Sequence, residues 1–374
     1  MKLVTAGESH GKALVGILEG LPAHLHIDFD AIDRLLALRQ SGYGRGARQK
    51  IERDRVEFLA GVRAGETLGS PVCFQVANRD HANWERVMGA KEADTSLRTV
   101  TRVRPGHADL SGMLKYGQSD ARNILERSSA RETAVRVAAG GICRQLLETL
   151  GVFVSGYVSE VCGVRDEAEY PFEALERAKD EPLFMLDPKK QAEAMALIDR
   201  LREEGDTAGG KICIRVKGLK SGFGSCMSYE SKLDGKLAGA LMGVQAIKSV
   251  EVGLGARVAS HRGSEVHDEI CYDGGFHRKT NRAGGIEGGM SNGEEIALTC
   301  AMKPIPTLMR GLGTVDFVTH EPMRADNERS DVCAICAAEI VLESVAATVL
   351  AGEVLARLGG DTMEEVIGRY ALLP

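Results

Sequence analysis

The run VCAICAAEIVLESVAATVLAGEVLARL, residues Val332–Leu358, carries the decision on fold class. It is too long for a strand and apolar almost all round a helical period, which places such a helix in a core or an interface. Glu339, Glu343, Glu353 and Arg357 interrupt it. Charges of this kind cost roughly 2.5–3.5 kcal/mol each near a bilayer centre, so the run reads as a buried helix and not a membrane span. Outward from it, strands and helices alternate. Lys2–Thr5, Val56–Val62, Pro71–Ala77, Lys211–Leu219, Val250–Val252 and Ile296–Met302 read as strands. Val72, Phe74 and Val76, then Ile212, Ile214 and Val216, recur with the period of two that puts alternate side chains on one face. Asp30–Gln40, Ala130–Leu150 and Asp234–Ile247 read as helices. With no clear linker and no short repeat, the expectation is an α/β (α+β) protein forming one large unit over residues 1–374.

Composition narrows the function classes. The chain has 374 residues, 44% hydrophobic and 27% charged, the balance of a folded globular protein. Aromatic residues make up only 5%, with a single tryptophan, Trp84, which counts against a stacking platform for single-stranded nucleic acid. Nine cysteines, an odd number without a paired framework, suit a reducing compartment. The N-terminus reaches Glu8 before any signal-peptide core could form, and the expectation is a soluble, cytoplasmic protein without membrane or nucleic-acid partners.

The net charge of −6 is unevenly spread. Residues 165–206 hold thirteen acids and seven bases, leaving forty of each elsewhere. That stretch reads as an acidic, solvated excursion with little chemistry. Two other regions are basic, and nearly every base is arginine. Arg34 to Arg55 contains Arg39, Arg45 and Arg48, and Arg98 to Arg136 has seven arginines and one lysine against Asp109, Asp120, Glu126 and Glu132. Arginine's planar fork suits carboxylates and phosphates, so a polyanionic ligand is expected.

Several motifs sit on these basic regions. Gly7-Glu8-Ser9-His10-Gly11 follows the first strand and fits G-x-S-x-G, yet only six residues precede it, too few for a hydrolase's oxyanion-hole strands. It also lacks the spacing and the Ser or Thr of a P-loop. What is left is a turn presenting Ser9 and His10. Arg104-Pro105-Gly106-His107-Ala108-Asp109 puts a second histidine in a rigid turn. Arg127-Ser128-Ser129-Ala130-Arg131-Glu132 has the form of a capping box, Ser129 as N-cap and Glu132 three residues on, flanked by arginines as an anion site would be. Residues Gly274–Gly293 contain seven glycines and read as a loop where backbone lies against something. Lys303-Pro304-Ile305-Pro306-Thr307 makes a stiff wall after a strand, and Arg329-Ser330-Asp331 opens the last helix. Cys333-x-x-Cys336 lacks a second pair, so no metal site is expected.

In this order, G-E-S-H-G, R-Q-S-G-Y-G-R-G-A-R at Arg39–Arg48, R-P-G-H-A-D, A-R-N-I-L-E-R-S-S-A-R-E-T-A, N-R-A-G-G-I-E-G-G-M, K-P-I-P-T and R-S-D resemble chorismate synthase nearly end to end. The resemblance implies a β-α-β sandwich, a homotetramer, and a shikimate-pathway lyase that turns 5-enolpyruvylshikimate 3-phosphate into chorismate and phosphate with reduced FMN. By the same resemblance Arg39, Arg45, Arg48, Arg104 and Arg131 hold the substrate's phosphate and carboxylates, each charge-assisted bond contributing about 1.5–3 kcal/mol. Arg39 and Arg45 have NADPH, a candidate reductant, as their alternative ligand. Flavin contacts fall on Arg127, Ser128, Ser129, Gln245, Ala246, Gly288, Lys303, Pro304, Ile305, Pro306, Thr307 and Arg329. His10 is implied to protonate the departing phosphate, His107 to stabilise the reduced flavin, Asp331 to act with the flavin in proton transfer, and Ser9 to orient. A hydrolase using Ser9 and an RNA- or phosphoanion-binding module are the other classes open at this point.

Overall fold

Period-two burial builds two antiparallel sheets, in a computed structural model that describes residues 1–46, 53–325 and 331–374. The first sheet runs Lys2–Ala6, Ala13–Glu19, Val72–Ala77, Val56–Ala60 in spatial order. Its inward face is made by Leu14, Leu18, Val72, Phe74 and Val76, all fully buried. The second runs Ile247–Val252, Ile296–Met302, Gly210–Lys217, Phe153–Val161, Val164–Arg165. There Ile212 pairs with Cys300 and Ile214 with Leu298, so the alternating apolar positions of two strands fall in one layer.

Between the sheets lie three helices, Phe29–Gln40, Thr133–Thr149 and Ile335–Leu358. Thr133–Thr149 packs on the first sheet, Ile335–Leu358 on the second, and the two pack on each other. Gly140 permits that approach: a Cβ there would lie 2.3 Å from the Cβ of Ser344. The result is a β-α-β sandwich. The last helix is long and apolar enough to cross a membrane by length and composition, but 78% of its most apolar window is buried inside the molecule.

The acids in that helix have partners. Lys179 Nζ donates to Glu339 Oε1 and Glu343 Oε1, each at 2.7 Å, and to the Gly156 carbonyl at 2.6 Å. Arg144 reaches Glu343 Oε2 at 2.9 Å. Burial, then the neighbouring Glu343 charge, pushes the Glu339 carboxyl well up, with Lys179 opposing them. Because Lys179 belongs to the acidic stretch, the expectation for residues 165–206 is corrected. The stretch folds into Phe172–Leu175, a 3-10 turn Glu176–Asp180 and the helix Pro188–Glu204, and it buries Leu183, Phe184, Met185, Ala194 and Ile198. Most of its charges face water, but Asp166 is buried, and its apolar side and one lysine enter the core.

Helix ends differ from the sequence expectation where tertiary contacts compete. The last helix begins at Ile335 and not Val332, because Val332 N bonds the Gly44 carbonyl and Asp331 bonds the Gly46 amide. Asp331 and Cys333 therefore precede the helix. The helix expected over Asp234–Ile247 is Leu233–Met242, and Ile247 already belongs to a strand. The capping box is not closed either. Ser129 Oγ accepts from Arg131 N at the head of a 3-10 turn, while Glu132 turns to Thr5, Arg136 and Gln245.

Candidate active site

The Gly7–Gly11 turn links the first two strands. Gly7 holds φ at 107°, and a Cβ there would meet the Ala13 carbonyl at 2.4 Å, so only glycine fits. The turn is fastened from outside: Asn78 Nδ2 donates to the carbonyls of Glu8 and Gly11 at 3.0 and 2.8 Å. Ser9 N donates to the Glu126 carbonyl at 2.9 Å. Glu126, on the helix Arg122–Ser128, then grips His10 twice. One carboxylate oxygen accepts from the His10 backbone N–H and the other lies against ring Nδ1, both at 2.8 Å. The ring stacks on Trp84 with centroids 3.8 Å apart, and Trp84 lies beneath the guanidinium groups of Arg98 and Arg122 at 4.0 and 5.0 Å. Burial raises the Glu126 carboxyl, but its bonds from His10 and the charge of Arg122 outweigh burial and hold it below the ordinary value. An ionised carboxylate only accepts, so Nδ1 carries a proton, and Nε2 lies 4.0 Å from Asp80 Oδ2 with no hydrogen bond among the described residues.

Beside this turn, the arginines share carboxylates. Arg131 Nη1 meets Asp54 Oδ2 at 2.5 Å and its Nε donates to Asn78 Oδ1 at 2.8 Å. Arg39 lies 3.5 Å from the same Asp54 oxygen and donates to Thr133 Oγ1 and the Ala130 carbonyl, both at 2.9 Å. Burial, with the charges of Arg131 and Arg45, brings Arg39 down to about 10 against the pull of Asp54. Arg45 faces Asp331 Oδ2 at 3.4 Å, and the Gly46 amide donates to Asp331 Oδ1 at 2.6 Å. Arg45 Nε is buried without a partner. Among the described residues, three guanidinium groups thus face two carboxylates here.

The second histidine is built from one turn. His107 Nδ1 lies 2.5 Å from Asp109 Oδ1, while Arg104 Nε donates to Asp109 Oδ2 at 2.8 Å. Asp109 is fully buried; burial raises its carboxyl, yet His107 and Arg104 hold it far below the ordinary aspartate range. The turn touches the proline-rich wall: Arg104 Nη1 donates to Thr307 Oγ1 at 3.3 Å, and Lys303 Nζ donates to the Gly106 carbonyl. Ile305 is fixed by Thr207, whose hydroxyl donates to its carbonyl at 2.8 Å; Pro304 is exposed and Pro306 packs near Gly106. Lys303 N bonds the carbonyl of Ala246, itself held left-handed at φ 70°.

A third group joins these. Arg127 donates to the Thr5 hydroxyl at 2.7 Å and the Gly7 carbonyl at 3.1 Å. Ser129 Oγ donates to Ser9 Oγ at 3.3 Å, and Gln245 Nε2 reaches Glu132 at 3.4 Å. Ser128 Oγ and Gln245 Oε1 are buried with no partner.

Most expected residues are therefore brought together. Ser9, His10, Arg127, Ser129 and Arg131 surround one turn, and Arg104, His107, Ala246 and Lys303–Thr307 another. Gly288 is not among them. Its hairpin bonds Leu233 at the start of the helix Leu233–Met242, whereas Gln245 and Ala246 follow that helix's end, about 15 Å away for ten residues. Arg48 and Arg329 lie outside the described residues. The site residues missed by sequence reasoning are Glu126, Asp109, Trp84, Asp54 and Asn78. The signal for two of them was available: Asp109 and Glu126 are rare acids inside an arginine-rich stretch.

The Ser9 hydroxyl bonds Ser129, and among the described residues no hydrogen bond joins it to His10, so the geometry does not favour a serine hydrolase.

Comparison with known proteins gives one answer. A family model described as chorismate synthase matches residues 1–355. A chorismate synthase of Alkaliphilus metalliredigens is 53% identical over 368 residues, covering 98% of this chain and 97% of its own. One from Thermus thermophilus is 50% identical over 369 residues, covering 98% and 96%. A crystal structure of chorismate synthase superposes with a TM-score of 0.79 at 37% identity, covering 99% of this chain and 96% of its own.

Proposed function

The chain belongs to the chorismate synthase family, and we infer that its carbon–oxygen lyase activity is carried by the His10 and His107 sites. The reaction converts 5-enolpyruvylshikimate 3-phosphate into chorismate. The ring C–O bond to phosphate breaks, a ring proton is lost, and the ring gains a second double bond without net redox change. The observation that carries the assignment is the His10 ring: Nδ1 is committed to Glu126, so Nε2 is the edge left to give a proton to the departing phosphate. The Arg39, Arg45 and Arg131 group, joined to the His10 turn through Asn78, would hold the substrate's phosphate and two carboxylates. Ser9 would orient the substrate, Arg104 would add charge, and Arg48 would do so by family resemblance. Asp331, held by Arg45 and the Gly46 amide, would accept a proton at its carboxylate as the ring proton is removed.

Reduced FMN, when bound, supplies electron density as the phosphate leaves. Arg127, Ser128, Ser129, Gln245, Ala246 and Lys303–Thr307 would hold it, with Gly288 and Arg329 following from family resemblance. The unpartnered Ser128 Oγ and Gln245 Oε1 support this, since buried polar atoms are seldom left unpaired. His107, with Nδ1 given to Asp109 and Arg104 Nη2 3.4 Å from its Nε2, would together with that guanidinium face negative charge on the reduced cofactor. Arg39 and Arg45 are assigned to substrate in preference to NADPH because they sit with Arg131 and Asp331; an R45A variant should then lose substrate affinity and keep any NADPH-driven flavin reduction. The family resemblance also supports a homotetramer, a cytoplasmic location and one unit over 1–374.

Mixing the chain with substrate and chemically reduced FMN, without oxygen, is expected to release phosphate and chorismate one for one. No phosphate at high protein concentration would contradict the activity.

A further inference from the structure

His10 is held more elaborately than a turn histidine needs. Glu126 lies 116 residues away in sequence, is 3% exposed, and uses both carboxylate oxygens on His10, one on the backbone and one on the ring. A merely structural clamp would need only the backbone bond. The ring bond fixes the tautomer, and a negative charge in contact with an imidazole favours its protonated form. Other charged or titratable groups surround the ring. Asp80 Oδ2 lies 4.0 Å from Nε2, His81 Nδ1 is 2.9 Å from the His10 carbonyl, Arg122 pairs with Glu126 at 3.3 Å, and Arg98 stacks on the far side of Trp84. The two arginines oppose protonation, but both bear on the ring through Glu126 or Trp84, while Glu126 touches it directly.

We propose that Glu126 is a positioning residue for His10, fixing Nδ1–H and favouring the imidazolium so that Nε2–H faces the leaving phosphate. This rests on the reading of His10 as the phosphate's proton donor. Trp84 supplies an independent view of it. The chain has one tryptophan, and it stacks on the ring at 3.8 Å, where an imidazolium quenches indole fluorescence and a neutral imidazole does so far less.

The test is a fluorescence pH titration of the full chain without flavin, beside the pH profile of kcat. Wild type is expected to show quenching on acidification; H10N should abolish that transition and H81N should leave it. In E126Q the midpoint should fall by about one pH unit or more, the effect of losing an adjacent opposite charge. The alkaline limb of kcat should move with it, and kcat should drop roughly 10- to 100-fold at little cost in KM, part of a general acid's usual contribution. E126D, which keeps the charge, should return the midpoint towards wild type even where its rate is incomplete. Coincident midpoints and pH limbs in E126Q and wild type would overturn the proposal. If wild type makes no chorismate, the activity reading fails alone, because the titration still decides whether Glu126 controls the charge of His10.

Discussion

His10 and His107 use the same device in different settings. Each gives Nδ1 to a buried carboxylate, at 2.8 Å to Glu126 and 2.5 Å to Asp109. Asp109 is two residues from its histidine and shared with Arg104 in one turn. Glu126 is on another element, and Trp84 closes over the ring it holds. His107 is thus a local construction docked onto the Lys303–Thr307 wall, and His10 is made only when distant segments meet. The two carboxylate-bearing helices, Asp109–Tyr116 and Arg122–Ser128, pack through Val103, Met113, Ala121 and Leu125, so one small apolar cluster supports both histidines.

The comparison breaks most severely at Asp109. Replacing it with alanine leaves Arg104 and His107 facing a buried gap, and a loss of about 3–5 kcal/mol in unfolding free energy is expected by denaturant titration. Its pH signature has a definite sign. The folded carboxyl is held below its ordinary value of 3.8, so its contribution is fully present above that pH and is lost as pH falls further. Wild type should weaken relative to D109A only on acidification below about pH 4, and a difference that grew with rising pH would refute the assignment.

A smaller change sharpens the His10 side. W84L removes the ring stack and should cost about 0.5–1.5 kcal/mol beyond the lost burial, with a wider pH profile for kcat as the imidazole gains freedom. An unchanged profile would mean that the stack plays no part in holding the ring. Smallest is T307V, which deletes the bond from Arg104 at 3.3 Å; about 1 kcal/mol of stability should go, read as a modest fall in melting temperature.

The same contrast explains what was legible in the sequence. Strand faces were, because Val72, Phe74, Val76 and Ile296–Met302 follow a rule that acts between neighbours. The Arg104–Asp109 turn was half legible: its histidine stood out, and its acid lay in the same six residues. Glu126 was legible only as a rare acid in an arginine-rich stretch, since nothing within its own helix points to His10. The closed capping box failed for a related reason. Thr5, Arg136 and Gln245 compete for Glu132, and local preference yields to them. Residues 165–206 misled through composition, because thirteen acids mask a buried apolar side and the one lysine that meets Glu339 and Glu343.

The central claim is a division of labour between the two histidines, and one paired measurement tests it directly. Single-turnover phosphate release and reduced-FMN affinity would be measured on H10A and H107A without oxygen. H10A is expected to slow phosphate release about 10²- to 10⁴-fold with flavin affinity nearly unchanged, the usual range for losing a general acid. H107A is expected to weaken reduced-flavin binding first. Equal effects on both quantities in both variants, or the reverse pattern, would contradict the account.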